Sequence, residues 1–77
     1  MSIQVKFFAS LRETLGIEST SIEPSARLTA RNVWDATTES ANYPVNTLCA
    51  INMDYAHQDD AVKDGDEVAF FPPVTGG

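Results

Sequence analysis

Gly76 and Gly77, which close the sequence, are where chemistry could take place. They follow Phe70-Phe71-Pro72-Pro73-Val74-Thr75 and would present an α-carboxylate on a tip without side chains. At background glycine use, about 7% per position, such a pair closes roughly one chain in 200, and a frayed terminus would look the same. The preceding residues favour a purpose. Pro72 and Pro73 lack an N–H and fix φ, so they end sheet pairing and begin a stiff, extended stalk. Six residues from Pro72 to Gly77 reach roughly 20 Å when extended. Two glycines pass a channel too narrow for a side chain. A terminal carboxylate of pKa about 3.3–3.7 is ionised at neutral pH and is a poor acyl donor. It must be activated before it can carry anything, and no residue pattern in this chain binds ATP.

Other chemistries find little support. Cys49, the single cysteine, lies in an apolar strand and His57, the single histidine, in a polar turn, structural contexts that support neither a Cys–His nor a Ser–His–Asp set. No glycine-rich phosphate loop and no metal-ligand spacing occurs, so no catalytic residue, metal or bound cofactor is expected. The net charge of −6 has the wrong sign for a nucleic-acid binder. No apolar run approaches the ~20 residues of a membrane span, and the N-terminal residues lack a signal-peptide pattern, which predicts a cytoplasmic protein. Asp54, Asp59, Asp60, Asp64, Asp66 and Glu67 crowd the segment before the tail. They make either a solvated surface or an acidic face that steers the tail toward a basic partner.

The elements that must hold this tail follow from periodicity. Ile3, Val5 and Phe7 alternate with polar residues as in a half-buried strand. Ser10-Leu11-Arg12-Glu13 has capping-box spacing and predicts a short helical turn stopped by Gly16. Residues 17–23 predict a strand ended by Pro24. Thr29 is the expected N-cap of a helix over 30–40, with Ala30, Val33, Trp34, Thr37 and Ala41 on one stripe and Trp34 as its anchor. Residues 47–52 predict a central strand apolar on both faces, with Cys49 as a small buried hydrophobe. A minor strand near Tyr55, a tight turn at Asp64-Gly65 and a last strand over 67–71 complete an α+β roll in residues 1–71, with 72–77 as its tail. With Val68, Phe70, Val5 and Phe7 as core, Phe8 and Phe71 fall on the outer face if the first and last strands are neighbours. That pair is the expected partner patch, unless one ring folds into the core edge.

Phe7-Phe8-Ala9, Arg12-Glu13 with Gly16, Ala50-Ile51-Asn52 and above all residues 63–77 resemble the MoaD family of sulfur-carrying small subunits of molybdopterin synthase. The resemblance spans the chain. It implies a ubiquitin-like β-grasp fold: a mixed sheet, one main helix on one face and a flexible C-terminal tail. It further implies that an adenylating enzyme, using ATP, converts the Gly77 carboxylate to an acyl-adenylate. A sulfur donor then makes the thiocarboxylate. The tail residues Pro73, Val74, Thr75 and Gly76 would thread into a large synthase subunit, in a complex of two small and two large subunits. There sulfur passes to cyclic pyranopterin monophosphate, twice per dithiolene. Two departures stand out: Met53 where the family has Gly or another small or polar turn residue, implying a differently shaped turn, and a helix more polar than the family's Leu-rich one. The residues alone leave three alternatives: the thiamine-pathway sulfur carrier, against which Pro72-Pro73-Val74-Thr75 argues, a covalent ubiquitin-like modifier, and an interaction module with an inert tail.

Overall fold

The computed structural model describes residues 2–44 and 46–73. The elements run β1 Ile3–Phe7, α1 Ala9–Leu15, β2 Ser19–Ile22, α2 Ala30–Thr38, β3 Leu48–Ile51, β4 Asp54–Ala56 and β5 Glu67–Phe71. One five-stranded sheet has the order β2-β1-β5-β3-β4. β1 and β5 are parallel and adjacent, and the remaining pairs are antiparallel. The mixed sheet places the last strand at its centre, as a β-grasp does. Phe71, the last residue of β5, therefore leaves the sheet from its middle.

Both helices cover the same face. Ile3, Val5 and Phe7 of β1, Val68 and Phe70 of β5 and Cys49 of β3 are buried with Leu11 of α1 and with Ala30, Val33 and Trp34 of α2. The Trp34 ring lies 5.2 Å from Phe70, 5.8 Å from Phe7 and 5.1 Å from Tyr43 in edge-on contacts, and its Nε1 donates to the Ala41 carbonyl at 2.8 Å. Phe7 and Phe70 stack at 5.6 Å. The opposite face is bare of helices. The strand over 47–52 is apolar on both faces, as expected, yet only Cys49 is buried, because nothing covers Leu48 and Ala50. β5, not β3, is the central strand.

Two helix boundaries differ from expectation. α1 begins at Ala9, with Phe8 as N-cap and no side-chain cap, so the Ser10–Glu13 capping box does not start it. The Phe8 N–H is drawn into the sheet by the Phe70 carbonyl at 3.1 Å, while the Phe8 carbonyl accepts from Leu11 and Arg12. The chain turns straight from strand to helix, through Ala9 at φ 53°. α2 is capped at its start by Thr29, whose Oγ1 accepts from the Asn32 N–H while the Thr29 N–H donates to Asn32 Oδ1. It stops at Thr38 rather than residue 40, because Glu39 and Ser40 turn left-handed at φ 57° and 60°. Thr37 and Thr38 also donate back to the Val33 and Trp34 carbonyls, a competition that weakens a helix end.

β3 and β4 join through Asn52 and Met53 at φ 54° and 71°, the mirror-image hairpin turn that fits sheet twist. Met53 thus keeps a glycine-type turn instead of reshaping it, and carries the strain of a side chain at positive φ. Asn52 tolerates its own conformation and ties the hairpin to β5, accepting from the Glu67 N–H at 3.0 Å and donating to Asp66 Oδ1 at 2.9 Å. Met53→Gly should raise unfolding free energy by about 0.5–1 kcal/mol, the relief of positive φ exceeding the added chain entropy. Urea denaturation measures this, and an unchanged or lowered midpoint would refute it.

Candidate functional site

The register defines which side chains share the uncovered face. Gln4, Lys6 and Phe8 alternate outward from β1, and Glu67, Ala69 and Phe71 from β5. Leu48 lies opposite Phe71, Ala50 opposite Ala69, and Tyr55 opposite Ala50. Ala50 and Ala69 keep the floor low, and the Tyr55 ring reaches across it to Phe71 at 5.9 Å. Phe8 is 46% exposed and Tyr55 77%, whereas Phe71 is half-buried. Phe71 is not among the residues packed into or against the core. Phe8 and Phe71 therefore share the outer face, with Tyr55 as the ring that packs on Phe71. Pro72 is half-buried and Pro73 exposed beyond the strand. Val74, Thr75, Gly76 and Gly77, expected to form the tail, lie outside the described residues.

Sequence reasoning missed Tyr55 and Leu48. A two-residue turn at Asn52-Met53 pairs 50 with 55 and puts Tyr55 on the face away from Cys49, but Met53 at positive φ hides that turn in the sequence.

The acidic residues do not form one face. Asp66 Oδ2 accepts from the Lys63 N–H at 2.8 Å, Asp60 Oδ2 from the His57 N–H at 2.9 Å, and Glu67 pairs with Lys6 at 3.0 Å. Asp60, Asp66 and Glu67 thus build turns and a cross-strand pair. Asp64 and Asp66 precede β5, so a strand of five residues, about 15 Å, separates them from the tail root. That exceeds the screening length of about 8 Å at physiological salt. Nearness in sequence had suggested a steering cluster; the length of the strand removes Asp64 and Asp66 from it, while Asp59 lies along one groove with Leu48 and Tyr55.

The Lys63 N–H, with the Asn52 side-chain amide second, holds the Asp66 carboxyl below its ordinary value of 3.8. A depressed folded-state value contributes stability above the unfolded-state pKa, which is lost as pH falls through the folded one. Asp66→Asn should therefore remove part of the acid loss of stability below 3.8 and change the pH dependence little near neutrality. Urea midpoints of both proteins across this range test it; parallel curves would refute it.

Cys49 is the one side chain that could carry sulfur covalently, and its setting opposes this. It is 2% exposed, its Sγ lies 3.3 Å from the Ala56 carbonyl, and burial raises its pKa. Burial, with the Cys49 thiol beside it, pushes the neighbouring Tyr43 hydroxyl up to about 12. Both stay protonated at neutral pH, and a buried thiol is not a nucleophile. His57 is exposed in its turn, as expected. No group of three or more His, Cys, Asp or Glu side chains that could hold a metal occurs among the described residues. No helix there is long and apolar enough to cross a membrane.

A mixed five-stranded sheet with its last strand at the centre and both helices on one face defines a ubiquitin-like β-grasp protein. Residues 5–77 match the ThiS family, and the chain belongs to that family, on its MoaD side. It is 36% identical to the molybdopterin synthase sulfur carrier subunit of Escherichia coli K12, over 97% of this chain and 99% of that protein. It is 38% identical to the protein of the same name from Haemophilus influenzae, with the same coverage. Among solved structures, SAMP1 from Haloferax volcanii superposes with a TM-score of 0.81 at 26% identity, covering 100% of both chains.

Proposed function

We propose that the protein is the sulfur carrier of molybdopterin synthase, a non-catalytic subunit that bears sulfur on Gly77. The observation that carries this reading is the near-full-length identity of 36% and 38% to two proteins of that name. The buried, protonated Cys49 supports it from the other side, because sulfur must then travel elsewhere than on the thiol. In the proposed cycle the Gly77 carboxylate oxygen attacks the α-phosphorus of ATP on an adenylating enzyme and expels pyrophosphate. Sulfide-level sulfur, delivered by the donor as HS−, then attacks the acyl carbon and displaces AMP, leaving a thiocarboxylate. In the large subunit this sulfur passes to cyclic pyranopterin monophosphate, and water restores the carboxylate. Two carriers serve one dithiolene, in keeping with a complex of two small and two large subunits. The chain itself binds no cofactor; ATP belongs to the activating enzyme, and the cytoplasm is the compartment proposed.

Mass spectrometry tests this reading. Trypsin cleaves after Lys63, and the resulting peptide, residues 64–77, contains neither Met nor Cys. Incubation with the activating enzyme, ATP and the sulfur donor should add about 16 Da to that peptide, oxygen replaced by sulfur at one covalent carrier site. Cys49→Ala should load equally. Sulfur on Cys49, or an unmodified tail peptide, would overturn the proposal. Gly76→Val should load poorly or deliver poorly, lowering pterin product roughly 100-fold, because misplacement by an ångström costs that much in a fitted channel. Wild-type product from Gly76→Val would refute a narrow channel.

A second reading has one observation in its favour: the TM-score of 0.81 to the archaeal protein, a small modifier by name. Isopeptide conjugates on target lysines that vanish when Gly77 is deleted would establish it. Copurification with a thiazole synthase would point instead to the thiamine-pathway carrier.

A further inference from the structure

The two edges of the sheet are built differently. β4, at one edge, is three residues long and includes Asp54, the short and charged pattern that discourages strand addition. β2, at the other, presents Ser19-Thr20-Ser21-Ile22 without charge or proline, and it pairs with β1 in unbroken register, so no bulge turns it away. The Phe7 N–H donates to the Glu18 carbonyl at 3.0 Å, which fixes the phase of this antiparallel ladder. Glu18, Thr20 and Ile22 turn their backbone groups toward β1, and Ser19 and Ser21 turn theirs outward. Each contributes one N–H and one carbonyl to the open edge. On the core side Thr20 and Ile22 are half-buried, and on the other side Ser19 and Ser21 are exposed.

We propose that the β2 edge docks an extended segment of another protein, which adds as a sixth strand. Its centre is uncharged and β-branched, and its ends carry Lys or Arg. The end charges follow from Glu18 and Glu23, which bracket the uncharged run and are both exposed. A second copy of this chain is a poor occupant. Its own β2 segment offers no Lys or Arg to meet Glu18 and Glu23, in a chain of net charge −6. Arg12 lies 3.8 Å from Glu18 and tempers that end, so Glu23 sets most of the charge preference. A Val or Ile of the incoming strand would extend the apolar row beside Ile22, while backbone bonds to Ser19 and Ser21 supply affinity. β1 lies between this edge and β5, so docking there leaves Phe71 and Tyr55 free, although Phe8 shares a groove with Glu18 and Ser19.

The test titrates the full-length, isotopically labelled protein with the acetylated, amidated peptide Arg-Val-Thr-Val-Thr-Arg and with its Glu-ended counterpart. The Arg-ended peptide should shift the Ser19 and Ser21 amides and slow their hydrogen exchange at least tenfold, and the Glu-ended peptide should bind at least tenfold more weakly. Ser21→Pro removes an outward N–H, which an edge strand tolerates, and should abolish the response while circular dichroism stays native. Glu23→Lys combined with Glu18→Lys leaves the backbone intact and should reverse the peptide preference, deciding the matter even if Ser21→Pro fails to fold. Equal binding of both peptides, shifts centred on Phe8, Tyr55 and Phe71, absence of any response, or concentration-dependent self-association through β2 without peptide would each overturn the proposal.

Discussion

Phe71→Ala should weaken binding of the large synthase subunit by about 1–2 kcal/mol, a factor of 5–30, with much less effect on folding than truncation of its neighbour Phe70. The two side chains differ by one residue and by one face of the sheet. Phe70 is 0% exposed, among Phe7, Trp34 and Tyr43, and its loss to alanine should cost about 3–5 kcal/mol. Phe71 touches Tyr55 on the uncovered face and should cost no more than about 1.5 kcal/mol, since it fills no closed cavity. Calorimetric titration well below the melting temperature, with unfolding curves for both variants, separates the roles. Tyr55→Ala should leave stability nearly unchanged. It should also show less than additive loss of binding with Phe71→Ala, because the two rings act as one anchor. If Phe71→Ala destabilised as much as Phe70→Ala, and binding losses matched the unfolded fraction, Phe71 would belong to the core.

How far these assignments could be made from the residues alone depended on whether the signal was local. Period-two alternation in residues 3–7 and 67–71 set Phe8 and Phe71 each on the face opposite its own strand's core residues, and the parallel pairing of β1 with β5 brought the two together. The helix stripe Ala30, Val33 and Trp34 was likewise legible from its own period, and Thr29 capped it as its chemistry requires. What sequence could not supply was pairing. Tyr55 joined the patch only through the hairpin turn at Asn52-Met53, and Met53, an unusual residue at positive φ, obscured that turn. The start of α1 depended on the Phe8 N–H being taken by Phe70, sixty-two residues away, which outweighed a local capping box at Ser10. The acidic residues show the converse error. They are close in sequence, but a strand lies between Asp66 and the end of β5, and of the six only Asp59 lines the groove that holds Leu48 and Tyr55.

Trp34→Ala should bring the domain to the edge of unfolding. A chain of 77 residues has about 4–12 kcal/mol of stability at the usual 0.05–0.15 kcal/mol per residue. Removing a buried indole costs about 3–5 kcal/mol through lost transfer energy and the cavity left behind. Trp34 has more than area at stake. Its ring is the common contact of Phe7, Phe70 and Tyr43, and its Nε1 satisfies the Ala41 carbonyl just after α2 ends. The last turn of the helix has little else to hold it, since Thr37 and Thr38 are weak helix formers bonded back to their own turn. Trp34→Phe separates the contributions: it keeps an aromatic ring and loses the hydrogen bond, and should cost about 1–3 kcal/mol. Circular dichroism melts of the three proteins measure the series. For Trp34→Ala, loading of Gly77 and binding of the large subunit should fall together with the folded fraction, whereas Phe71→Ala should uncouple binding from folding. A Trp34→Ala protein that melts within a few degrees of the wild type would show that packing elsewhere, at Leu11 and Val62, holds the sheet and helix together.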